Sequence, residues 1–315
     1  MNFADRLAAS ISRANSFIVA GFDPQLETFP ETILNDAAQT TQTEEDFVYT
    51  ALTSFYLLAL EALTPHIAAV KPNIAFFEQY GLGGLRAFGT VCQAAREHRL
   101  PVIADAKRGD IGSTAQAYSR AFLGKSEVMG RKIATWEVDS VTVNPFMGFD
   151  TIAPFIEDCV AHQKGIFVLV KTSNPGSGDI QGIQALDTKL DISTAVAQWL
   201  DREGRRLIGE CGFSSLGAVV GAPYPDEAKR LRELMPRNLF LIPGMGAQGG
   251  TAADAVAGFG TTPTGAPHGA LINLSRGLLS AFSSRAIPRE SLRHELIANA
   301  QQTNRAIAAA LTDLR

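Results

Sequence analysis

Short apolar, β-branched runs alternate along the chain with longer segments whose apolar residues recur every three or four positions. The runs are Phe17–Phe22, Ala68–Pro72, Pro101–Ala106, Ser140–Asn144, Ile166–Lys171, Leu216–Gly221, Leu239–Pro243 and Ala270–Leu274. They predict strands, and the segments between them predict amphipathic helices over Phe47–Leu63, Leu85–His98, Ala115–Leu123, Ile152–Ala161, Ile192–Arg206 and Asp226–Met235. Strands that alternate with helices form parallel sheets. This many units in one chain of 315 residues fit a closed (β/α)8 TIM barrel, an α/β fold read here as a single domain over residues 1–315. A doubly wound open sheet is the second choice. Thr28–Asp46 reads as a polar, irregular insertion after the first strand. Ser173–Asp187 reads as a long loop after the fifth strand, and Gly258–Gly269 as a surface loop before the last. Glu290–Leu314 should close the chain as a helix.

Polar and Gly-rich residues sit where the predicted strands end. Examples are Asp23, Lys71 with Asn73, Asp105 with Lys107, Asn144, Lys171 with Thr172 and Ser173, Gly244–Gly246, and Ser275 with Arg276. In barrel enzymes the carboxyl-terminal rim carries the active site and the opposite rim serves stability.

Composition narrows the class further. With 46% hydrophobic and 19% charged residues, the chain has ample material for a large core. A net charge of −4 makes a nucleic-acid-binding surface unexpected but leaves room for a local phosphate pocket. Cys92, Cys159 and Cys211 are far apart and form no C-x-x-C pair, so buried free thiols are expected rather than zinc or disulfides. His66, His98, His162, His268 and His294 share no motif, and neither H-E-x-x-H nor G-x-S-x-G occurs. His98 and His162 are expected to end helices, where positive charge is favourable. The start of the chain lacks an apolar signal core, and no apolar run approaches the roughly 20 residues of a bilayer span. A cytoplasmic protein without membrane partners is expected.

The most informative stretch is Val102–Thr114, VIADAKRGDIGST. Asp105 and Lys107, two apart at a strand end, should point to one side of an extended chain. Gly109 permits a sharp turn. Asp110 then begins a helix, with Thr114 one turn later on the same face. Taken singly, Asp110 could be a plain helix N-cap, and Asp105 with Lys107 a rim ion pair. Together, D-x-K-x-x-D-I at Asp105–Ile111 resembles the signature of the orotidine 5′-phosphate decarboxylase family, and the chain is most similar to its longer bacterial subgroup, type 2.

That resemblance implies decarboxylation of orotidine 5′-monophosphate (OMP) to uridine 5′-monophosphate (UMP), the last step of de novo pyrimidine nucleotide synthesis. It casts Lys107 as the proton donor to C6 of the pyrimidine, with Asp105 beside the departing carboxylate. Asp110 and Thr114 would come from the second subunit of a homodimer with shared sites, and Ile111 would bind substrate. Asp23 would contact the ribose, and Lys71 would link the ribose to the catalytic charges. Gly246, Gln248 and Arg276 would serve the phosphate, Gln248 also reaching the base. Thr172, Ser173 and Asn174 would read the pyrimidine edge, Ser173 first. Asn144 reads as a structural rim residue.

The chemistry fits those residue types. Loss of CO2 leaves a carbanion with no conjugated sink, a task usually given to a cofactor. No cofactor and no metal are expected here, so a fixed ammonium must stabilise the charge. Unit charges about 4 Å apart interact by roughly 4 kcal/mol at an effective dielectric near 20. Glycines let backbone N–H groups approach phosphate, and Arg adds a bidentate fork. Two alternatives remain. A metal-dependent sugar-phosphate decarboxylase of the same superfamily would resemble E-x-D-x-K-x-x-D, but Ile103 stands at the Glu position and cannot ligate a hard cation. It would also favour a carboxylate where Lys71 stands. A non-catalytic phosphate-binding barrel would not need the alternating charges.

Overall fold

The computed structural model describes residues 1–246, 248–261, 267–279, 282 and 286–313. Its barrel strands are β1 Ile18–Phe22, β2 Ala69–Pro72, β3 Ile103–Arg108, β4 Ser140–Val143, β5 Gly165–Lys171, β6 Ser214–Val220, β7 Asn238–Ile242 and β8 Ala270–Leu274. They form one 8-stranded parallel sheet in the order β2-β1-β8-β7-β6-β5-β4-β3. Isolated parallel bridges, Val70 to Val102 and Asn73 to Asp105, join β2 to β3 and bring the two ends of the sheet together. The fold is the TIM barrel that the pattern predicts, and each strand lies within about two residues of its predicted run.

The strands read as continuous apolar runs because both faces are buried. In β1, Ile18, Ala20 and Phe22 pack into the outer core beneath the helices, while Val19 packs into the barrel interior. In β7, Phe240 and Ile242 go outward while Leu239 and Leu241 go inward. The two-residue period of a strand thus sorts one apolar run into two separate cores.

One end of the barrel is closed. The Phe3–Ala14 helix starts at Asn2, whose side chain accepts the Asp5 N–H at 3.0 Å. Its buried face, Phe3, Leu7 and Ile11, packs into the barrel interior. Phe3 meets Phe167 edge-on with ring centroids 6.0 Å apart. A Cβ at Gly165 would lie 2.3 Å from the Phe3 ring, so the glycine leaves room for this plug. The sequence pattern did not predict this helix. Its effect is to fill the end of the barrel opposite the carboxyl-terminal mouth.

Three expectations need correction. Thr28–Asp46 is not irregular: it holds a helix over Glu31–Thr40 and the start of the Glu44–Leu63 helix. The first buries only Ile33 and Ala37, one turn apart, so its polar composition reflects a mostly solvated helix. Ser173–Asp187 contains a short helix at Gly178–Gln181. Lastly, Glu44–His66 is long and apolar enough by composition to cross a bilayer. Here it is a core helix, with Leu52, Phe55, Ala59, Leu60 and Leu63 buried.

The other predicted helices lie within about four residues of their expected bounds, at Gly81–Glu97, Gly112–Phe122, Ala153–His162, Ile192–Gly204 and Pro225–Leu234, and short helices that the pattern did not predict occur at Ile74–Glu78, Ala252–Val256 and Arg276–Leu279. His98 caps one of these and His162 ends another. Cys92 and Cys159 are buried free thiols, and Cys211 is half-buried. The closing helix runs Arg289–Asp313, residue 314 lying outside the described residues. Of the predicted Gly258–Gly269 loop, Gly260–Thr261 pairs with Pro267–His268, and residues 262–266 lie outside the described residues.

Candidate active site

A cavity of about 560 Å³ opens at the mouth. Its floor has two unlike halves. Lys71, Asp105, Thr142 and Asn273, from β2, β3, β4 and β8, make one half polar. Leu169, Val219 and Leu241, from β5, β6 and β7, make the other apolar. Gly21 of β1 lies between β8 and β2 in the sheet without lining this cavity, and a Cβ there would lie 2.1 Å from Ser275 Oγ and 3.1 Å from Asn273 Oδ1. Any larger residue there would displace Ser275, just past β8, and crowd Asn273.

The polar half centres on Asp105. Lys71 Nζ donates to Asp105 Oδ2 at 2.6 Å, and Lys107 Nζ donates to Asp105 Oδ1 at 2.5 Å. Burial by itself favours a neutral Asp105. The charges of Lys71 and Lys107 and their hydrogen bonds outweigh it and hold the carboxyl well below its ordinary range. Burial also opposes the Lys71 charge, yet Asp105 and Asp23 together raise that ammonium above its ordinary value. Lys71 is buried, whereas the Lys107 side chain is 49% exposed and reaches into the cavity. The array therefore presents one fixed, solvent-reachable ammonium backed by a buried ion pair.

Asp105 and Lys107 do meet, as their spacing predicts, but not through a regular strand. Lys107 has φ +46°, in the left-handed region. Pairing of β3 with β4 steps from Ala104–Val141 directly to Arg108–Val143. Three β3 residues thus face Thr142 alone, a bulge of the kind found beside active sites. The Thr142 hydroxyl accepts the N–H groups of Ala106 at 3.0 Å and Lys107 at 2.9 Å, and donates to Asp105 Oδ1 at 3.0 Å.

Asp23, Thr172, Ser173, Asn174 and Gln248 also line the cavity. Asp23 Oδ1 and Asn273 Oδ1 are buried and have no hydrogen-bond partner among the described residues. Thr172 is engaged within its loop: its N–H donates to Gln181 Oε1 at 2.9 Å and its hydroxyl to Asn174 Oδ1 at 2.6 Å. Tyr224 Oη donates to Asn174 O at 3.2 Å and holds this loop down. Gly244 has φ +102°, and a Cβ there would lie 2.8 Å from Gln248 Oε1 and 3.1 Å from Ser173 Cβ. Glycine at 244 is what lets the two loops converge.

Other predicted residues lie elsewhere. Arg276 lines an adjoining hollow of about 310 Å³, with Asp23 on the wall shared by both. Gly246 is exposed in the turn before Gln248 and does not line the cavity. Asp110, Ile111 and Thr114 do not line this chain's cavity either. The helix begins at Gly112 rather than Asp110, and the Asp110 carboxylate accepts the Ile111 N–H at 2.7 Å. Ile111 is 58% exposed and Thr114 is exposed. Asn144 stays on the rim, its Oδ1 accepting the Phe146 N–H at 3.0 Å.

Sequence reasoning missed Thr142, Asn273 and Gln181 as parts of the site. A polar residue inside an otherwise apolar strand, as in SVTV or ALINL, was the available signal for the first two. Among the described residues, no group of His, Cys, Asp or Glu converges as a metal-ion cage would require.

Barrel and mouth together define a (β/α)8-barrel enzyme built around fixed charges. Residues 52–287 match the model of the orotidine 5′-phosphate decarboxylase / HUMPS family. The chain belongs to that family. It is 38% identical over 286 residues to the orotidine 5′-phosphate decarboxylase of Caldicellulosiruptor bescii, covering 90% of this chain and 91% of that one. Its identity to the Rhodopirellula baltica orotidine 5′-phosphate decarboxylase is 40% over 281 residues, 89% of each. Among solved structures, a putative orotidine-monophosphate decarboxylase from Toxoplasma gondii aligns with a TM-score of 0.75 at 28% identity, over 99% of this chain and 98% of that one.

Proposed function

We propose that the protein decarboxylates OMP to UMP, the last step of de novo pyrimidine nucleotide synthesis, without a metal and with Lys107 as the proton donor. The observation that carries this reading is the Lys71–Asp105–Lys107 array, whose one reachable ammonium enters the cavity. The family of the chain and the names of its relatives support the substrate.

In this reading the bond from C6 to the carboxylate breaks, CO2 leaves, and the electron pair stays on C6. The Lys107 ammonium stabilises the developing charge and transfers its proton to C6; solvent then reprotonates the amine. Asp105 stays ionised and keeps Lys107 charged beforehand. Asp23 and Asn273 offer open, buried oxygens to substrate hydroxyls. Ser173 reads the pyrimidine, since Thr172 and Asn174 are already tied to each other. Gln248 and Arg276 hold the phosphate with the Gly244–Gly250 loop. The sugar-phosphate alternative loses ground because Ile103 is fully buried in the apolar interior and Lys71 sits where a carboxylate would be needed.

A homodimer completes the site in the same reading. Asp110, Ile111 and Thr114 do not line their own cavity, and Ile111, Phe146 and Met147 expose apolar side chains after β3 and β4. Such an apolar rim suits burial against a second copy. Mixed dimers of Lys107→Ala and Asp110→Ala subunits should regain activity through one intact site; verified heterodimers with none would sink the shared site.

The direct test follows the loss of OMP absorbance in the presence of EDTA. Decay to UMP is expected. No decay by a protein that still binds UMP would leave a non-catalytic phosphate-binding barrel.

A further inference from the structure

We infer that Thr142 is a positioning residue for the proton donor: its hydroxyl sets the left-handed backbone of Lys107 and the orientation of Asp105. The inference rests on the proposed role of Lys107.

A left-handed backbone is unfavourable for a residue with a Cβ, so glycine or asparagine usually occupies such a position. Here a long cationic side chain does, and the bulge must be held from outside. The bulge also takes two N–H groups, of Ala106 and Lys107, out of line with the β4 carbonyls. Each would be destabilising if left buried and unpaired. Thr142 Oγ1 accepts both, at 3.0 and 2.9 Å. A hydroxyl has two acceptor positions and one proton. With both acceptors used, the proton has one direction left, and it goes to Asp105 Oδ1 at 3.0 Å.

That oxygen is the one that receives Lys107 Nζ. One side chain therefore fixes the ammonium from two sides, through the backbone that carries it and through the carboxylate that holds it. Thr142 is 1% exposed within β4, so its side chain is enclosed by its neighbours. Its geometry leaves no free hydrogen-bonding valence for substrate.

The test compares Thr142→Val, which keeps the shape and removes the hydroxyl, with Thr142→Ser, which keeps the hydroxyl. Misplacing a reacting group by about 1 Å can cost a hundredfold. Thr142→Val should therefore lose about a hundredfold in kcat, with KM and UMP affinity within about threefold of the parent. Thr142→Ser should stay within about threefold in all of these. If Thr142→Val does not fold, Thr142→Ala takes its place, since the gap it leaves removes the hydroxyl without forcing a methyl against the N–H groups. Parental kcat in the hydroxyl-free variant would overturn the inference, as would a loss confined to KM or a serine variant as slow as valine. A crystal structure of the hydroxyl-free variant gives a readout independent of the substrate. Lys107 should leave the left-handed region or its contact with Asp105; an unchanged Lys107 would overturn the inference even if the OMP reading itself had failed.

Discussion

The two halves of the cavity floor differ in what they do for the fold. Leu169, Val219 and Leu241 continue the apolar interior and stabilise the barrel wherever it would have folded anyway. Lys71 and Asp105 do the reverse. Taking two ions out of water costs several kcal/mol each, and their attraction returns that only with good geometry. A ring of leucines in their place would make as stable a barrel or a stabler one. In the proposed reading the polar half is kept for chemistry, and the apolar half supplies the dry surroundings in which fixed charges act strongly.

That contrast can be broken from either side. The largest effect should come from Lys107→Ala, with turnover falling by at least about 10⁴-fold, since it removes both acid catalysis and charge stabilisation. Binding of UMP and the thermal midpoint should change little; a turnover equal to that of the parent protein would end the assignment. Next is Arg276→Ala. Hydrogen bonds to charged groups are worth about 1.5–3 kcal/mol. UMP affinity should fall roughly ten- to a hundredfold by calorimetry, with uridine binding unchanged. Equal losses for both ligands would place Arg276 away from the phosphate.

On the apolar side, Leu241→Ala should destabilise by about 2–4 kcal/mol in urea unfolding while kcat stays within about tenfold. A collapse of kcat with intact stability would show that the apolar half acts on the reaction directly. The smallest effect concerns pH. Asp105 has its folded value depressed, so its contribution is present above the unfolded carboxylate range and is lost as pH falls toward the folded value. Lys71 has its folded value raised, so its contribution is present below the unfolded lysine range and is lost as pH rises through the folded value. Between about pH 5 and pH 9 the pair should contribute a constant amount. Stability should fall below about pH 4, and by less in Asp105→Asn. An equal acid loss in that variant would remove Asp105 from the titration.

The strands were legible because each is a compact apolar run, and D-x-K-x-x-D-I carried the charges that the proposed chemistry needs. The Glu31–Thr40 helix was missed because only Ile33 and Ala37 are buried, too sparse a stripe to read. The Phe3–Ala14 plug was missed because its partner, the barrel end, exists only after closure. Asp105 and Lys107 were placed together for an incomplete reason: two-residue spacing suggested a regular strand, but a bulge and Thr142 bring them into contact.

By itself, then, the sequence determined the count and order of the strands and the identity of the charged groups, because both are written in local residue types. Only the tertiary structure decided which polar groups share a valence. The Thr142 hydroxyl lies 35 residues from Lys107 and the Lys71 ammonium 34 from Asp105. Those contacts arise from strand register around a closed ring, a property no local window contains.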